Sequence, residues 1–517
     1  MPAPSLLDRV VGWVSPRMAL DRLHARVRLN ALTGGYTGGS RDRRPTRNWR
    51  PHGGNADADT LPDLDHLRAR SRDLVRNTPI ATGAVATVVT NVIGDGLQLQ
   101  ASIDAATLGI TDEEADAFER QQEREWALFC READFTRVQH LDELQRLAYR
   151  AAKESGDVIA IRRFRRDHGA SYGTRVQLVE ADRLCNPNRA ADTDRIAGGV
   201  ETDADGVPVR YHIADRHPGS ARLGKLTWSS VPARDPDGRA LVLHIYDRQR
   251  PEMTRGVPYL APVIEHLKQL GDYSDAEVTA AVVSAMFTMV VKSAADDPDN
   301  PIVGERPSGA ALASNEVQMG NGATISLAPG EDVSAINPMR PNANFDPFVQ
   351  AFLRQVGVAL ELPFELLIKH FTASYSASRA ALEMAWQFFR RERGWIARRF
   401  CQEIYGWMMD EAVASGRLDR PGFFADPIRR AAWLGAEWIG PSRASLNPLQ
   451  EANADKVDLE LGAKTLEQVM IERTGGDVDK KLKQRGREIA LARNAGLIAT
   501  PADPALAAIS PDQPAGA

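Results

Sequence analysis

The sequence predicts an α+β fold that is predominantly helical and divided into several segments. Apolar residues recur at helical spacing through most of the chain, whereas between Asp157 and Tyr246 they alternate with polar residues as in strands. The composition, 43% hydrophobic and 26% charged, is that of a folded protein. At 517 residues the chain exceeds one ordinary core, so we expect two or three domains or an elongated subunit.

Residues 1–60 are predicted to form a flexible arm. Their first apolar stretch is interrupted by Asp8 and Arg9, which indicates a short amphipathic helix rather than a secretion signal. From Gly34 to Asp59 the sequence is rich in Gly, Arg, Asn and Pro and has almost nothing to bury. The Ala/Pro-rich residues 498–517 are likewise predicted to be disordered. No apolar run approaches the roughly 20 residues that span a bilayer, so no membrane segment is predicted.

Three helical segments are predicted before the strands. The first begins at Leu61 and stops at Gly94 to Gly96, with a restart at Thr78 and Pro79. The other two cover residues 112–132 and 141–156, and acidic residues in their first turns complement the helix dipole. The apolar period then changes from helical spacing to strict alternation, which marks the start of the strands.

Five strands separated by turn residues predict a mostly antiparallel sheet. They are VIAIRRF, RVQLVEA, VPVRYHIA, LTWSSV and LVLHIYD. A helix is then expected from Pro258, a favourable first-turn residue, to about Ala294. One face of this helix is an apolar stripe, formed by Leu260, Ile264, Leu267 and Leu270. Another face is polar and carries Glu265, Gln269 and Asp272.

A long helix is the clearest feature of the second half of the chain. The insert Ala294–Asn344 comes first and contains two strand candidates, ATISL and DVSAI. Helix resumes at Asp346 and stops at Pro363, and the polar stretch KHFTASYSAS follows. The long helix is predicted from about Ser376 to Ala414, roughly 60 Å, a length typical of an assembly. Its apolar stripe is Leu382, Trp386, Phe389, Ile396, Phe400, Ile404 and Trp407.

Two motifs that could carry chemistry are interpreted as ordinary loops. Gly219 to Lys225 has the G-x4-G-K spacing of a nucleotide-binding loop, but Leu226 stands where Ser or Thr would hold magnesium, and a strand pattern follows. Asp203, Asp205 and Gly206 supply only part of a calcium loop and are better explained by a hairpin turn.

The acidic run, the cysteines and the net charge do not predict a catalytic or metal site. The acidic run Asp296, Asp297 and Asp299 is predicted to be a solvated loop. The three cysteines lie far apart in the sequence, which favours a reducing compartment over a disulfide framework. A net charge of −5 argues against tight nucleic-acid binding as the main task. We therefore expect no enzyme activity, no cofactor and no metal.

Four pieces of one region, in this order and at this spacing, resemble the signature of lambda-type phage portal proteins. They are GATISLAPGE at Gly322–Glu331, the start of a helix at Phe348–Arg354, Leu362–Leu367, and Ser374–Ala380, which is similar to the family's N-Y-S-S-A-R-A. Supporting pieces are Asp73–Asn77, Ile93–Gly96, Asn186–Asn188 and Thr254–Gly256. The resemblance covers roughly residues 60–497.

The sequence departs from the family pattern in several places. Ser374 replaces the common Asn and Ala377 replaces the second Ser. Glu252 and Met253 stand where many relatives have Gly-Gln, and Lys369-His370 occupies a position that is often acidic. The last departure changes the expected charge of a channel loop.

The resemblance implies a portal fold with wing, stem, clip and crown, which forms a ring, normally of twelve subunits, around a central channel. The implied segments are the α+β wing (61–257), the first stem helix (258–293), the clip (294–344), the second stem helix (345–368), the tunnel loop (369–378), the long helix (379–415) and the crown (416–497).

The resemblance also implies three sets of site residues. The tunnel loop would face DNA with Lys369, His370, Thr372, Ser374, Tyr375 and Ser376. The stem would line the channel with Glu265, Gln269 and Asp272. The clip would dock the terminase motor through Asp296, Asp297, Glu305, Arg306 and Glu316.

The implied partners are further copies of the chain, the terminase large subunit, the major capsid and scaffold proteins, head-completion or tail adaptor proteins, and double-stranded DNA bound without sequence specificity. The implied location is a capsid vertex of the virion, after assembly in the cytoplasm of a bacterial host. Two other hypotheses stay open. One is a DNA-processing ATPase or nuclease that uses the Lys225 loop or the Asp296 cluster; the other is a different head-to-tail adaptor ring component.

Overall fold

The computed structural model describes residues 44–222, 224–285, 289–293, 331–335, 344–371, 374–443, 447–475 and 478–495, besides a few isolated positions nearer the N terminus. The chain divides into two units, residues 1–62 and 63–517. In the first unit, helix α1 (Ala56–Thr60) begins after Asn55, whose side chain accepts a hydrogen bond from the N–H of Ala58 at 2.8 Å. These five residues of the predicted arm are therefore helical.

The second unit begins with the predicted helices. α2 (Leu64–Asn77) ends at Thr78, whose N–H donates to the carbonyl of Leu74, and Pro79 opens α3 (Pro79–Val92). The next elements are β1 (Gln98–Ala101), α4 (Ala105–Leu108), α5 (Asp112–Glu132) and α6 (Leu141–Ser155). Thr111 and Glu114 form a capping box that fixes the start of α5. The predicted helix bounds are confirmed to within a few residues.

All five predicted strands are present, but they form two antiparallel sheets instead of one. The strands of this block are β2 (Asp157–Phe164), β3 (Thr174–Glu180), β4 (Ile196–Ala197), β5 (Val200–Thr202), β6 (Pro208–Ala214), β7 (Trp228–Pro232) and β8 (Val242–Tyr246). β2 lies between β3 and β8, and Ile159 is opposite both Val179 and His244. The second sheet has the order β4-β5-β6-β7. The observed elements confirm the predicted α+β class.

The helix after Pro258 is shorter than predicted. A 3-10 turn at Ala261–Val263 leads into α7 (Ile264–Ala285), and Met289–Ser293 is a strand, β9, rather than the end of the helix. β9 pairs antiparallel with β10 (Glu331–Ala335), as DVSAI predicts for most of β10. The MVVKS sequence pairs because its valines suit a strand and its backbone finds a partner there. The strand candidate ATISL lies outside the described residues.

The apolar stripe at the start of α7 is buried as predicted. Leu260, Leu267 and Leu270 are buried and Ile264 packs against the same core. The next helix, α8 (Phe345–Ala359), packs against α7 through aromatic rings, with Tyr273 stacked near Phe345. The two helices therefore form a pair.

The predicted long helix is confirmed. After the short helix α9 (Phe364–Ile368), α10 (Tyr375–Ile396) continues through a π-helical turn (Ala397–Cys401) into α11 (Gln402–Ala414). At 1.5 Å per residue this stretch is about 60 Å long. Its stripe is buried from Phe389 to Trp407, whereas Leu382 and Trp386 are partly buried. The stripe is thus mainly core.

The C-terminal part of the chain packs against β1 and α5. It consists of α12 (Pro427–Trp433), β11 (Ala436–Ile439), α13 (Pro448–Glu460), α14 (Leu466–Thr474) and α15 (Val478–Asn494). β11 pairs antiparallel with β1, and Trp438 packs edge-on against Trp126 of α5. In the described part of the chain no helix combines the length and apolar character that a bilayer crossing requires.

Candidate functional site

The segment between α9 and α10 begins with an exposed cation, Lys369. Lys369 ends α9 in the left-handed conformation at φ +56°, and the N–H of His370 donates to the carbonyl of Glu365 at 3.0 Å. Lys369 and His370 are exposed, as is Phe371 at 48%. Neither Lys369 nor His370 forms a side-chain hydrogen bond or ion pair with a described residue. Thr372 lies outside the described residues.

The predicted tunnel loop extends too far, because helix α10 already begins at Tyr375. The side chain of Ser374 accepts a hydrogen bond from the N–H of Ala377 at 3.5 Å and caps the helix. Tyr375 and Ser376 therefore belong to the first helical turn, and Ser378 is buried at 6% exposure. We call residues 369–374 the Lys369 loop; of these, Lys369, His370, Phe371 and Ser374 lie among the described residues.

The polar stripe of α7 is exposed and partly neutralised. Glu265, Gln269 and Asp272 are all exposed. The amide of Gln269 donates to Glu265 at 3.1 Å, and Lys268 forms an ion pair with Asp272 one turn away. The stripe is therefore less acidic than its three residues alone indicate.

The predicted clip residues Asp296, Asp297, Glu305, Arg306 and Glu316 lie outside the described residues. They stay a prediction.

The two doubtful sequence motifs have the structures predicted for them. The carboxylate of Asp203 accepts hydrogen bonds from the N–H groups of Asp205 and Val207 in the turn between β5 and β6. Lys225 lies in a loop that leads into the strand β7, not into a helix that could receive phosphate at its N-terminus.

A group of metal-binding residue types does occur at Glu180, Asp182 and His217. However, the guanidinium of Arg72 forms ion pairs with both Glu180 and Asp182. Because a cation from the chain already compensates the two carboxylates, this group does not indicate a metal site.

A buried cluster of charges around Asp157 was not predicted from the sequence. Asp157 is completely buried, and its carboxylate accepts hydrogen bonds from Arg255 at 2.5 Å and from Arg68 at 2.9 Å. The ring of His244 contacts the same carboxylate at 3.0 Å. The remaining guanidinium donors of Arg255 reach the carbonyls of Leu184, Gly198 and Ala181. We call Asp157, Arg68, Arg255 and His244 the Asp157 cluster.

The electrostatics of this cluster follow from its burial and its two arginines. Burial alone would raise the pKa of Asp157, but Arg255 and Arg68 outweigh that effect and hold the pKa far below its ordinary value. Burial lowers the pKa of His244, and the carboxylate only partly offsets this. The backbone fits tightly beside the cluster: a Cβ on Gly256 would lie 2.1 Å from the carbonyl oxygen of Gly156. The Thr254–Gly256 motif thus has a structural explanation.

A second buried ion pair joins α6 to α10. The ammonium of Lys153 lies 2.5 Å from the carboxylate of Glu392, which also accepts a hydrogen bond from the hydroxyl of Tyr149 at 2.9 Å. The rings of Tyr149, Tyr259 and Trp395 surround the ammonium at 5.3, 5.4 and 5.6 Å.

Tyr259 connects this pair to the helices α7 and α8. Its N–H donates to the carbonyl of Lys153 at 2.9 Å, and its hydroxyl donates to the carbonyl of Leu360, just after α8. The segment that leads into α7 and the C-terminal end of α8 are therefore fixed to each other and to α6 through Tyr259.

Structural comparison matches this chain at low TM-scores to chains of gene transfer agent (GTA) particles. A chain in the neck of an empty GTA particle, computed with C6 symmetry, gives a TM-score of 0.43 at 13% identity, with 78% of this chain and 93% of that chain covered. A chain in the virion of the native particle gives a TM-score of 0.43 at 13% identity, with 82% and 96% covered.

Comparison of sequences matches a larger share of this chain than comparison of structures does. Portal protein B of Escherichia phage lambda is 27% identical over 492 residues, which cover 91% of this chain and 92% of that protein. The portal protein of Escherichia phage N15 is 26% identical over 496 residues, with 91% and 93% covered. The family model described as "Phage portal protein, lambda family" matches residues 42–393. The resemblance in the motifs is thereby confirmed, and this chain belongs to the lambda family of phage portal proteins.

Proposed function

We propose that this portal protein forms a ring, of twelve subunits as the family resemblance implies, through which double-stranded DNA enters and leaves the capsid. The observation that carries the proposal is the family match across residues 42–393. The pair α7 and α8, followed by an exposed polar loop and a helix about 60 Å long, supports it, because long helices are typical of assemblies.

The Lys369 loop is the part of the chain that we assign to the channel wall. The side chains of Lys369 and His370 are exposed and form no hydrogen bond or ion pair with a described residue. In a ring, each subunit would place one Lys369 and one His370 near the DNA. Lys369 would meet phosphates, which are the same in every sequence, so the contact would be independent of sequence.

The net charge suits passage of DNA rather than tight binding. Twelve subunits of charge −5 carry about −60, so most of the wall would repel the duplex. Each phosphate that a basic side chain neutralises adds affinity through release of counterions. A wall with few cations therefore lets the duplex slide.

We further propose that the force for packaging comes from a separate terminase ATPase that docks on the segment 294–344. Capsid and scaffold proteins would hold the ring at a vertex of the virion, and adaptor proteins would join it to the tail. The structure of the Lys225 loop supports the proposal that another protein supplies the ATPase. A strand follows this loop, whereas a nucleotide site would need a phosphate-binding helix there.

Electron microscopy of the purified full-length protein tests the proposal. We expect rings with a central hole about as wide as a DNA duplex, and sedimentation should show one large species at micromolar concentration. A well-folded protein that stays monomeric at every concentration would contradict the ring.

A further inference from the structure

The outer halves of α7 and α8 project from the core. No residue in the range 271–282 of α7 is buried, and none in the range 345–352 of α8. The two helices contact each other there through aromatic rings, because the ring centroid of Tyr273 lies 5.5 Å from that of Phe345 and 5.1 Å from that of Phe348. We call these two ranges the outer pair.

Tyr259 lies at the base of the two helices and contacts several elements. Its N–H donates to the carbonyl of Lys153 on α6, and its hydroxyl donates to the carbonyl of Leu360 after α8. Its ring is nearly parallel to that of Phe388 on α10, at 15° and with 6.4 Å between the centroids. Burial and the nearby Glu392 carboxylate raise the pKa of Tyr259, so the hydroxyl keeps its proton and remains a donor. A displacement of α7 or α8 at this point therefore moves a side chain that also contacts α6 and α10.

The buried ion pair of Lys153 and Glu392 links Tyr259 further to α10. Both side chains of the pair are 9% exposed, and the ammonium lies 5.4 Å from the ring centroid of Tyr259. Separating two buried opposite charges leaves each without compensation, which costs far more than separating an exposed pair. A shift of Tyr259 that displaces the ammonium is therefore passed to Glu392 and to the helix that carries it. We call Tyr259, Lys153 and Glu392 the Tyr259 junction.

A second contact joins the end of α8 to α10 at the surface. Glu361 follows Leu360, and its carboxylate accepts hydrogen bonds from the guanidinium of Arg391 at 2.8 and 3.2 Å. The two side chains are 52% and 60% exposed, so salt screens this pair. Adjacent residues on both helices thus form one buried and one exposed connection.

We propose that the Tyr259 junction is a conformational device, which transmits a tilt of the helices α7 and α8 to the long helix α10. The coupling acts within one subunit, so the proposal goes beyond the ring and depends neither on the ring nor on DNA. The outer pair lies next to β9 and β10 in the chain, and α10 directly follows the Lys369 loop. A displacement of those strands would therefore reach the helix that carries one end of the loop.

Distances between spin labels on the full-length protein test this proposal. One label pair joins Asp275 of the outer pair to Arg210 of β6, and the other joins Met384 of α10 to Arg210; all three side chains are exposed. The label sites are introduced as D275C, M384C and R210C, and Cys185→Ser removes the native thiol that is not buried. Labelled protein is diluted with an excess of unlabelled protein, so that the measured pairs lie within one subunit.

Tyr259→Phe is the main variant, because it removes only the hydroxyl that donates to the carbonyl of Leu360. Asp275 lies about 24 Å from Tyr259 along the helix, so a tilt of about 10° would move it by about 4 Å. We expect a shift or broadening of this size in the Asp275 distance and a smaller change in the Met384 distance. Tyr172→Phe, which removes a hydroxyl bonded to Glu125 at 2.6 Å, is the matched control and should change neither distance.

Glu392→Gln tests the coupling from the side of α10. It removes the charge of Glu392 but keeps an acceptor for the hydroxyl of Tyr149. Because coupling between two sites is reciprocal, this variant should also change the Asp275 distance. A response of the Met384 distance alone would contradict the proposal.

Three results with Tyr259→Phe would overturn the proposal. They are an unchanged Asp275 distance, a change in the Asp275 distance without one in the Met384 distance, and equal changes in the control variant. Circular dichroism verifies that each variant is folded, and if Glu392→Gln does not fold, the comparison of Tyr259→Phe with its control decides.

Discussion

Asp157 is completely buried among two arginines and a histidine, whereas Lys369 is exposed at the end of a short helix and held only through its backbone. In the Asp157 cluster every charge has partners from several elements, so the charges connect α2, β2, β8 and the segment before α7. The described residues of the Lys369 loop form hydrogen bonds only with the two helices that flank it. Charges that are fully partnered therefore stabilise the fold, and charges without partners remain available for another molecule.

The largest effect is expected from Asp157→Asn, which leaves two buried guanidinium groups without a compensating charge. Breaking a buried ion pair from one side costs about 3 to 5 kcal/mol of the free energy of unfolding. Chemical denaturation should show this loss, and Asp65→Asn on the exposed face of α2 should show almost none. Equal stability of the two variants would mean that the cluster is not a structural element.

Acid should reveal the same cluster in the parent protein. The pKa of Asp157 is lower in the folded than in the unfolded state, so its contribution is complete above the unfolded pKa of about 3.9 and is lost as the pH falls below it. The free energy of unfolding should therefore fall on acidification from pH 5 to pH 2. In Asp157→Asn this fall should be smaller, and a fall of the same size would contradict the assignment.

An intermediate effect is expected at the second buried pair. Lys153→Met alone leaves Glu392 charged and buried, and should cost about 3 kcal/mol. The double variant Lys153→Met/Glu392→Leu removes both charges and should recover much of that loss, since two apolar residues can replace a buried pair. Thermal unfolding of the two single variants and the double variant measures the coupling. Additive losses would show that the two residues do not interact.

A smaller effect is expected from Trp386→Ala on the long helix. Trp386 is only partly buried and packs against the guanidinium of Arg393, 5.1 Å from the ring centroid. The loss should be about 1 to 2 kcal/mol, below the 3 to 5 kcal/mol of a fully buried tryptophan. Met384→Ala at 71% exposure is the control and should leave the melting temperature unchanged.

The smallest effect on stability is expected at Lys369. Two variants distinguish the effect of its charge from the effect of its left-handed backbone conformation. Lys369→Gly should stabilise the fold by up to about 1 kcal/mol because glycine adopts the left-handed conformation without strain. Lys369→Ala keeps the Cβ and should be close to neutral. Both variants remove the cation, so both should form normal rings yet package or retain less DNA, to an extent that depends on salt.

If Lys369→Ala prevents ring formation, or if both variants package and retain DNA like the parent, the loop is not a DNA contact. A DNA defect in only one of the two variants would point to the backbone conformation instead of the charge.

The sequence predicts local features of this fold well and long-range ones poorly. The acidic first turn at Asp112, Pro79 and the alternation after Asp157 indicate helix starts and strands within a few residues, because these signals are local. Met289–Ser293 was predicted as helix because its apolar residues continue the preceding helix; its strand partner is Glu331–Ala335, which no local pattern identifies.

The candidate sites show the same limit. The Lys369 loop was found through a family motif, and its end was set too late because the capping role of Ser374 was not recognised. The Asp157 cluster could not be found at all, since Arg68 and Arg255 lie 89 and 98 residues from Asp157 in the sequence. Only the tertiary fold brings these charges together.

The pairing of β9 with β10 brings the two ends of the intervening insert together. Ser293 and Glu331 are opposite each other in this ladder, so the chain leaves and returns at Cα positions about 5 Å apart. A segment of another length, or a foreign domain with adjacent termini, could replace residues 294–330 without displacing either strand. The helices α7 and α8, on either side of this ladder, would then keep their positions.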